Sequence, residues 1–190
     1  MRKIIPVLAI MIVLAGCKRA EQKAGDTTTA ADGSTAQAET TAPEETSTGI
    51  DVGSVMPVYT AMNLDGTSFE LASKRDKVVL LNLWATWCGP CRSEIPELQR
   101  IHDQYAARGF EVIGVSVDEG DVESVKDFLT ERNVTYPQVL DPQGSLANIL
   151  QTSVLPTTVL IDGKGKILWK KYGAIEANDT ELKAVLDKAL

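Results

Sequence analysis

The run Val78-Val79-Leu80-Leu81-Asn82-Leu83-Trp84 constrains this chain more than any other feature, because its one polar residue leaves no solvent-facing side. Such a run fits a strand covered on both faces of a sheet. Cys88-Gly89-Pro90-Cys91 follows directly. Beyond it Ile95, Leu98, Ile101 and Tyr105 recur at helical spacing until Gly109 stops the helix. Val112-Ile113-Gly114-Val115-Ser116-Val117 reads as a second buried strand. The pattern predicts a βαβ unit with the Cys pair at its first strand-helix junction.

Two short strand-like runs precede this unit, around Val58-Tyr59 and Ser68-Phe69-Glu70-Leu71, joined through the hairpin signal Asp65-Gly66. After it, Val122, Val125, Phe128 and Leu129 mark a helix, and Leu146, Ile149 and Leu150 a short third one. Thr158-Val159-Leu160-Ile161 is a strand that turns at Asp162-Gly163-Lys164-Gly165 into Ile167-Leu168-Trp169. Leu182, Val185, Leu186 and Ala189 give a closing helix begun near Asn178 to Thr180. The predicted order is β-hairpin, βαβ, α, α, ββα. This is an α/β fold, a central mixed sheet flanked by helices with an extra N-terminal hairpin.

The first quarter of the chain is different. Arg2 and Lys3 form a positive n-region, Ile4 to Leu14 an apolar stretch, and Leu14-Ala15-Gly16-Cys17 follows. The stretch is too short to span a bilayer, where about 20 apolar residues cross ~30 Å of hydrocarbon. It resembles a bacterial lipoprotein signal. That resemblance implies that residues 1–16 are removed and that Cys17 becomes a lipidated first residue, held to the membrane by its acyl chains. Residues 20–49 are mostly Thr, Ala, Glu, Gly and Ser with no aromatic, too little apolar surface to offset the entropy of ordering. Residues 17–49 are accordingly expected to be a lipidated, disordered tether, and residues 50–190 the globular domain. A net charge of −7 argues against nucleic acid or anionic lipid as a partner of the folded part. The expected location is outside the cytoplasm, anchored to a bacterial membrane by lipid.

With Cys17 lipidated, Cys88 and Cys91 are the only thiols left of the chain's 3 cysteines, to pair with each other or with a substrate. An exported compartment permits disulfides, and so small a loop adds little stability, which points to redox chemistry rather than a staple. Zinc needs about four ligands. The chain offers no second Cys pair and a single His102, so no metal is expected. At the helix N-terminus, backbone N–H groups and the helix dipole favour a thiolate at Cys88, the expected attacking sulfur. Cys91, one turn later and turned inward, is placed to resolve a mixed disulfide. Pro90 is tolerated in the first turn because its missing N–H had no intrahelical partner.

Trp87-Cys88-Gly89-Pro90-Cys91 after a buried strand, with Pro96 following, resembles thioredoxin. Four segments narrow the resemblance to the TlpA/ResA-like family of membrane-tethered extracytoplasmic thioredoxin-like proteins. They are Asn82 to Cys88, Cys91 to Pro96, Gly114 to Asp118, and Leu155-Pro156-Thr157-Thr158. The resemblance covers roughly residues 50 to 190. It implies a thioredoxin-like fold and thiol-disulfide exchange without metal, flavin or nucleotide. It also implies a cis Leu155–Pro156 bond against the Cys pair, with Leu155 offering main-chain hydrogen bonds to an extended substrate strand. Trp87 would cap the site as an apolar platform, while Trp84 and Tyr105 belong to the core. The buried Asp of thioredoxin aligns with Asn82, which cannot ionise. In the TlpA/ResA-like family a Glu three residues after the second Cys sits beneath the pair, so Glu94 is the expected proton relay for Cys91. His102 reads as a helix-surface residue, and Asp118 as a site neighbour that loop solvation or capping explains equally well.

The expected activity is reduction of disulfides in exported proteins, with a membrane thiol-transfer protein as electron donor. Cytochrome c maturation is the family's best-known pathway. The alternatives are an oxidant that installs disulfides and a non-enzymatic metal or assembly chaperone, the latter poorly served by one His and two thiols. A peroxidase site of the form Pro-x-x-x-Thr-x-x-Cys fails at Leu81 and Ala85.

Overall fold

A computed structural model describes residues 47–190. The signal expected over residues 1–16, Cys17, and most of the tether lie outside the described residues. In chain order the elements are β1 (Thr60–Asn63), β2 (Ser68–Glu70), β3 (Val78–Trp84), α1 (Gly89–Tyr105), β4 (Phe110–Ser116), α2 (Val122–Glu131), β5 (Gln138–Leu140), α3 (Ser145–Ile149), β6 (Thr157–Ile161), β7 (Ile167–Tyr172) and α4 (Thr180–Ala189). The strands form one sheet in the order β2-β1-β5-β4-β3-β6-β7. β3, β4 and β5 run parallel, and β6, β7, β1 and β2 pair antiparallel. This is the mixed, helix-flanked sheet of a thioredoxin-like fold. Among the described residues no helix is long and apolar enough to cross a membrane.

Every residue of β3 is buried, as its apolar run requires. Side chains alternate between faces along a strand, so β3 serves two cores. Leu80 and Trp84 face α1, α2 and α4, packing with Leu98, Ile101, Leu182 and Val125. Val79, Leu81 and Leu83 face the other side, packing with Leu146 and Leu150 around α3 and with Met56 and Tyr59. Helix α1 is followed by a short 3-10 turn, and the chain reverses at Gly109, whose φ of 82° lies in the left-handed region that glycine adopts without a Cβ clash.

Two expectations need correction. The first hairpin strand is Thr60–Asn63, not the run around Val58-Tyr59. Asp65-Gly66 sets a register that pairs Thr60 with Glu70 and Met62 with Ser68. Pro57 has no N–H to give a ladder. Val58 is exposed, and Tyr59 is buried with its hydroxyl donating to Asp141 at 3.4 Å. Second, the sequence reading left out β5. Its three residues follow Pro137 and join the hairpin to the central sheet, because β5 pairs with β4 on one side and β1 on the other. The hairpin therefore extends the main sheet.

Gly114 on β4 stands opposite Gln138 on β5, and the Gln138 side chain crosses over it to accept the Trp84 indole N–H at 3.0 Å. A Cβ on residue 114 would lie 2.0 Å from the Gln138 carbonyl oxygen. Gly114→Ala therefore displaces Gln138 and leaves a buried indole N–H without its acceptor. The expected loss is about 1–3 kcal/mol of unfolding free energy, the usual penalty for such a group, measured by urea unfolding. Combined with Gln138→Ala, the second substitution should add little.

Candidate active site

Strand β3 ends at Trp84, and Ala85-Thr86-Trp87-Cys88 forms a turn closed by the Cys88 N–H donating to the Ala85 carbonyl at 3.1 Å. Asp118, just beyond β4, clamps this turn. Its carboxylate accepts from the Thr86 N–H at 3.0 and 3.2 Å, from the Thr86 hydroxyl at 2.6 Å and from the Ser116 hydroxyl at 2.8 Å. Of the two explanations open for Asp118, capping of a turn is the one its bonds describe. Trp87, carried on that turn, is 69% exposed, and Trp84 is buried.

Cys88 is the N-cap of α1, with extended backbone, and its sulfur accepts the Cys91 N–H at 3.2 Å. The two cysteines form a disulfide with Cα atoms 5.3 Å apart. Cys91 is fully buried, whereas 6% of Cys88 reaches solvent. Both sulfurs therefore sit at the positive end of α1, with only Cys88 accessible.

Glu94 lies one helical turn beyond Cys91 and is buried at 1% exposure. Asn82 on β3 donates its amide to one carboxylate oxygen at 2.7 Å, and the Ile175 N–H donates to the other at 2.7 Å. Asn82 is held in turn by the Thr158 hydroxyl on β6, 3.0 Å away. Burial pushes the Glu94 carboxyl up to about 7, against the lowering effect of the Ile175 and Asn82 hydrogen bonds and the Lys171 charge. A carboxyl so poised exchanges protons near neutral pH. The sequence pointed to Glu94 but carried no sign of Ile175, whose main-chain N–H arrives from the loop after β7.

The Leu155–Pro156 bond is cis. Leu155 packs against the cluster that contains Cys88 and Cys91. Trp87, Leu83, Val117, Val154 and Leu155 are among the walls of an open hollow of about 320 Å³ beside the disulfide, with Glu119 and Gln143 at its polar side. The structure thus brings Cys88, Cys91 and Leu155 into one cluster and Trp87 to the hollow next to it. His102 stands apart from them on α1, half-buried, its Nδ1 accepting the Val112 N–H at 3.4 Å.

A dithiol pair opening a helix at the end of a buried central strand, with a cis-proline loop beside it, defines a thiol-disulfide oxidoreductase of the thioredoxin class. Residues 23–186 match the Redoxin family. The chain is 32% identical over 139 residues to the thiol-disulfide oxidoreductase ResA of Bacillus thuringiensis subsp. konkukian, covering 73% of this chain and 79% of that protein. It is 35% identical over 134 residues to ResA of Geobacillus kaustophilus, covering 70% and 76%. Among solved structures, the thioredoxin domain of a thiol-disulfide oxidoreductase from Bacteroides vulgatus superposes with a TM-score of 0.62 at 30% identity, covering 72% of this chain and 99% of that one. The chain belongs to the Redoxin family, as a ResA-like thiol-disulfide oxidoreductase.

The raised Glu94 pKa makes stability depend on pH with a definite sign. The unfolded chain releases this proton near the ordinary 4.5 and the folded protein only near 7, so across that window the folded state binds more protons. Stability from this group therefore falls as pH rises. Comparing oxidised wild type with Glu94→Gln by urea unfolding between about pH 4 and pH 8, the wild type should lose about 3 kcal/mol relative to the variant.

Proposed function

We propose that this oxidoreductase works as a reductant of disulfides in exported proteins. Cys88 as thiolate attacks one sulfur of a substrate disulfide, forming a mixed disulfide and releasing the other sulfur as a thiolate. Cys91, its proton passed to Glu94, attacks the Cys88 sulfur. The second substrate thiol leaves and the Cys88–Cys91 disulfide forms, so two electrons move to the substrate. Leu155 and Pro156 hold the substrate segment, and Trp87 supplies an apolar platform beside it. A membrane thiol-transfer protein returns the pair to the dithiol.

One observation carries the direction. Among the described residues, the Cys88 sulfur has a single hydrogen-bond donor, the Cys91 N–H. Gly89 and Pro90 offer it no charged or hydrogen-bonding side chain, Pro90 removes a donor from the first turn, and a carboxylate at Glu94 opposes a second negative charge nearby. A less stabilised thiolate makes a less oxidising disulfide. Equilibrating the domain with dithiothreitol or glutathione buffers should give a midpoint nearer the roughly −270 mV of thioredoxin than the roughly −120 mV of a strong oxidant, a gap of about 7 kcal/mol. A value above about −180 mV would favour the oxidant reading.

The same proposal includes export and a lipid anchor at Cys17, supported by Arg2, Lys3, the short apolar stretch and Leu14-Ala15-Gly16-Cys17. A tether over residues 17–49 would hold the domain near a membrane electron donor. Apocytochrome c, with its cysteine pair held as a disulfide, is the substrate suggested by the family resemblance. Mass spectrometry of the mature N-terminus is expected to find Cys17 first in the chain and acylated. An unmodified Cys17 would sink the anchor.

A further inference from the structure

We propose that Thr152 and Thr157 are positioning residues for substrate. Their hydroxyls close a hydrogen-bonded ring on the main chain of Val154, and so present the main chain of Leu155 as the docking edge for an extended protein segment. The proposal deepens the reading of Leu155 and Pro156 as the substrate edge and rests on it.

The ring follows from counting protons. A threonine hydroxyl has one proton to donate and lone pairs to accept with. The Thr157 hydroxyl donates to the Val154 carbonyl at 2.7 Å. The 3.2 Å contact between the two hydroxyls must then run from Thr152 to Thr157. The Thr152 oxygen accepts the Val154 N–H at 3.1 Å. From Val154 N–H through Thr152 and Thr157 to Val154 C=O, the chain of bonds returns to the residue it left. Each hydroxyl donates once and accepts once, an arrangement in which every bond polarises the next. Thr157 is fully buried at the start of β6, and the Thr152 N–H is tied to the Ala147 carbonyl at 3.0 Å, so both ends of the ring are anchored in the fold.

Both main-chain groups of Val154 are thus used internally. Its neighbours differ. Among the described residues, the N–H and C=O of Ser153 and of Leu155 have no partner, whereas the Pro156 carbonyl accepts the Gly173 N–H at 2.8 Å. Ser153 is exposed, so solvent is open to both of its groups. Leu155 packs its side chain against the disulfide cluster, and an extended segment laid alongside would pair with both of its free main-chain groups. By engaging Val154 inward, the ring keeps Val154 from competing for that segment and leaves its side chain, 44% exposed, on the wall of the hollow shared with Trp87.

Steady-state reduction of bovine insulin by the full chain, with dithiothreitol regenerating the dithiol, tests the ring. Thr152→Val keeps the size and removes the oxygen, and should raise KM for insulin about threefold to tenfold with kcat unchanged, the range one hydrogen bond supports. The midpoint potential of the Cys88–Cys91 pair should stay at the wild-type value. Thr152→Ser should restore KM, and Thr152→Ala, which leaves space in place of a methyl, should repeat the rise. An unchanged KM in Thr152→Val and Thr152→Ala, a rise that Thr152→Ser shares, or a shifted midpoint potential overturns the ring. Wild-type protein inert toward insulin overturns the underlying reading, and the ring with it.

Discussion

Strand β3 is buried on both faces and paired on both edges, and the rest of the structure follows from satisfying it. Parallel β4 and antiparallel β6 take its main-chain groups. Its alternating side chains then demand a layer on each side, which α1, α2 and α4 supply on one face and α3 with the N-terminal segment on the other. A slip of one residue would exchange every side chain between the two cores, so the register has no low-energy alternative. That rigidity is handed to the site. The strand ends at Trp84, the Asp118-clamped turn follows, and Cys88 opens α1 at a position fixed relative to the cis-proline loop preceding β6.

The one polar side chain inside β3, Asn82, decides how the buried Glu94 behaves. An amide donates an N–H to the carboxylate without adding a charge, whereas an ionisable acid 2.7 Å away would set two carboxyls against each other. With Ile175 supplying the second donor, both oxygens of Glu94 are satisfied and the group keeps one turn of helix between itself and Cys91. Burial of a carboxyl opposes stability above its ordinary pKa, while the same burial brings its proton exchange to neutral pH, where thiols must be deprotonated. Stability and the proton transfer proposed for this residue pull in opposite directions.

The loop from Thr152 to Pro156 shows the same economy in reverse. The Thr152 and Thr157 hydroxyls are spent on the main chain of Val154, while Leu155, whose main-chain groups are unpaired among the described residues, packs against the disulfide cluster. On the proposed reading, a protein segment would be held there through main-chain contacts, with shape supplied by Trp87 and Val154.

The βαβ unit, the Cys pair at a helix start, the Asp65-Gly66 hairpin and the closing helix after Asp179 were all legible in the sequence. Each depends on residues a few positions apart, whose spacing records which face is buried and where a helix is capped. Strand β5 was not, since Gln138-Val139-Leu140 is too short to show a period and is a strand only because β1 and β4 flank it. The motif located Glu94, but its burial and its two donors came from the fold, one of them 81 residues away. Asp118, 32 residues from the Thr86 it clamps, is of the same kind. The sequence by itself determined the local elements and the chemistry-bearing pair, because periodicity and capping act over one or two turns of chain. Only the tertiary structure decided which polar groups meet, because a hydrogen bond between distant segments needs no pattern in either one.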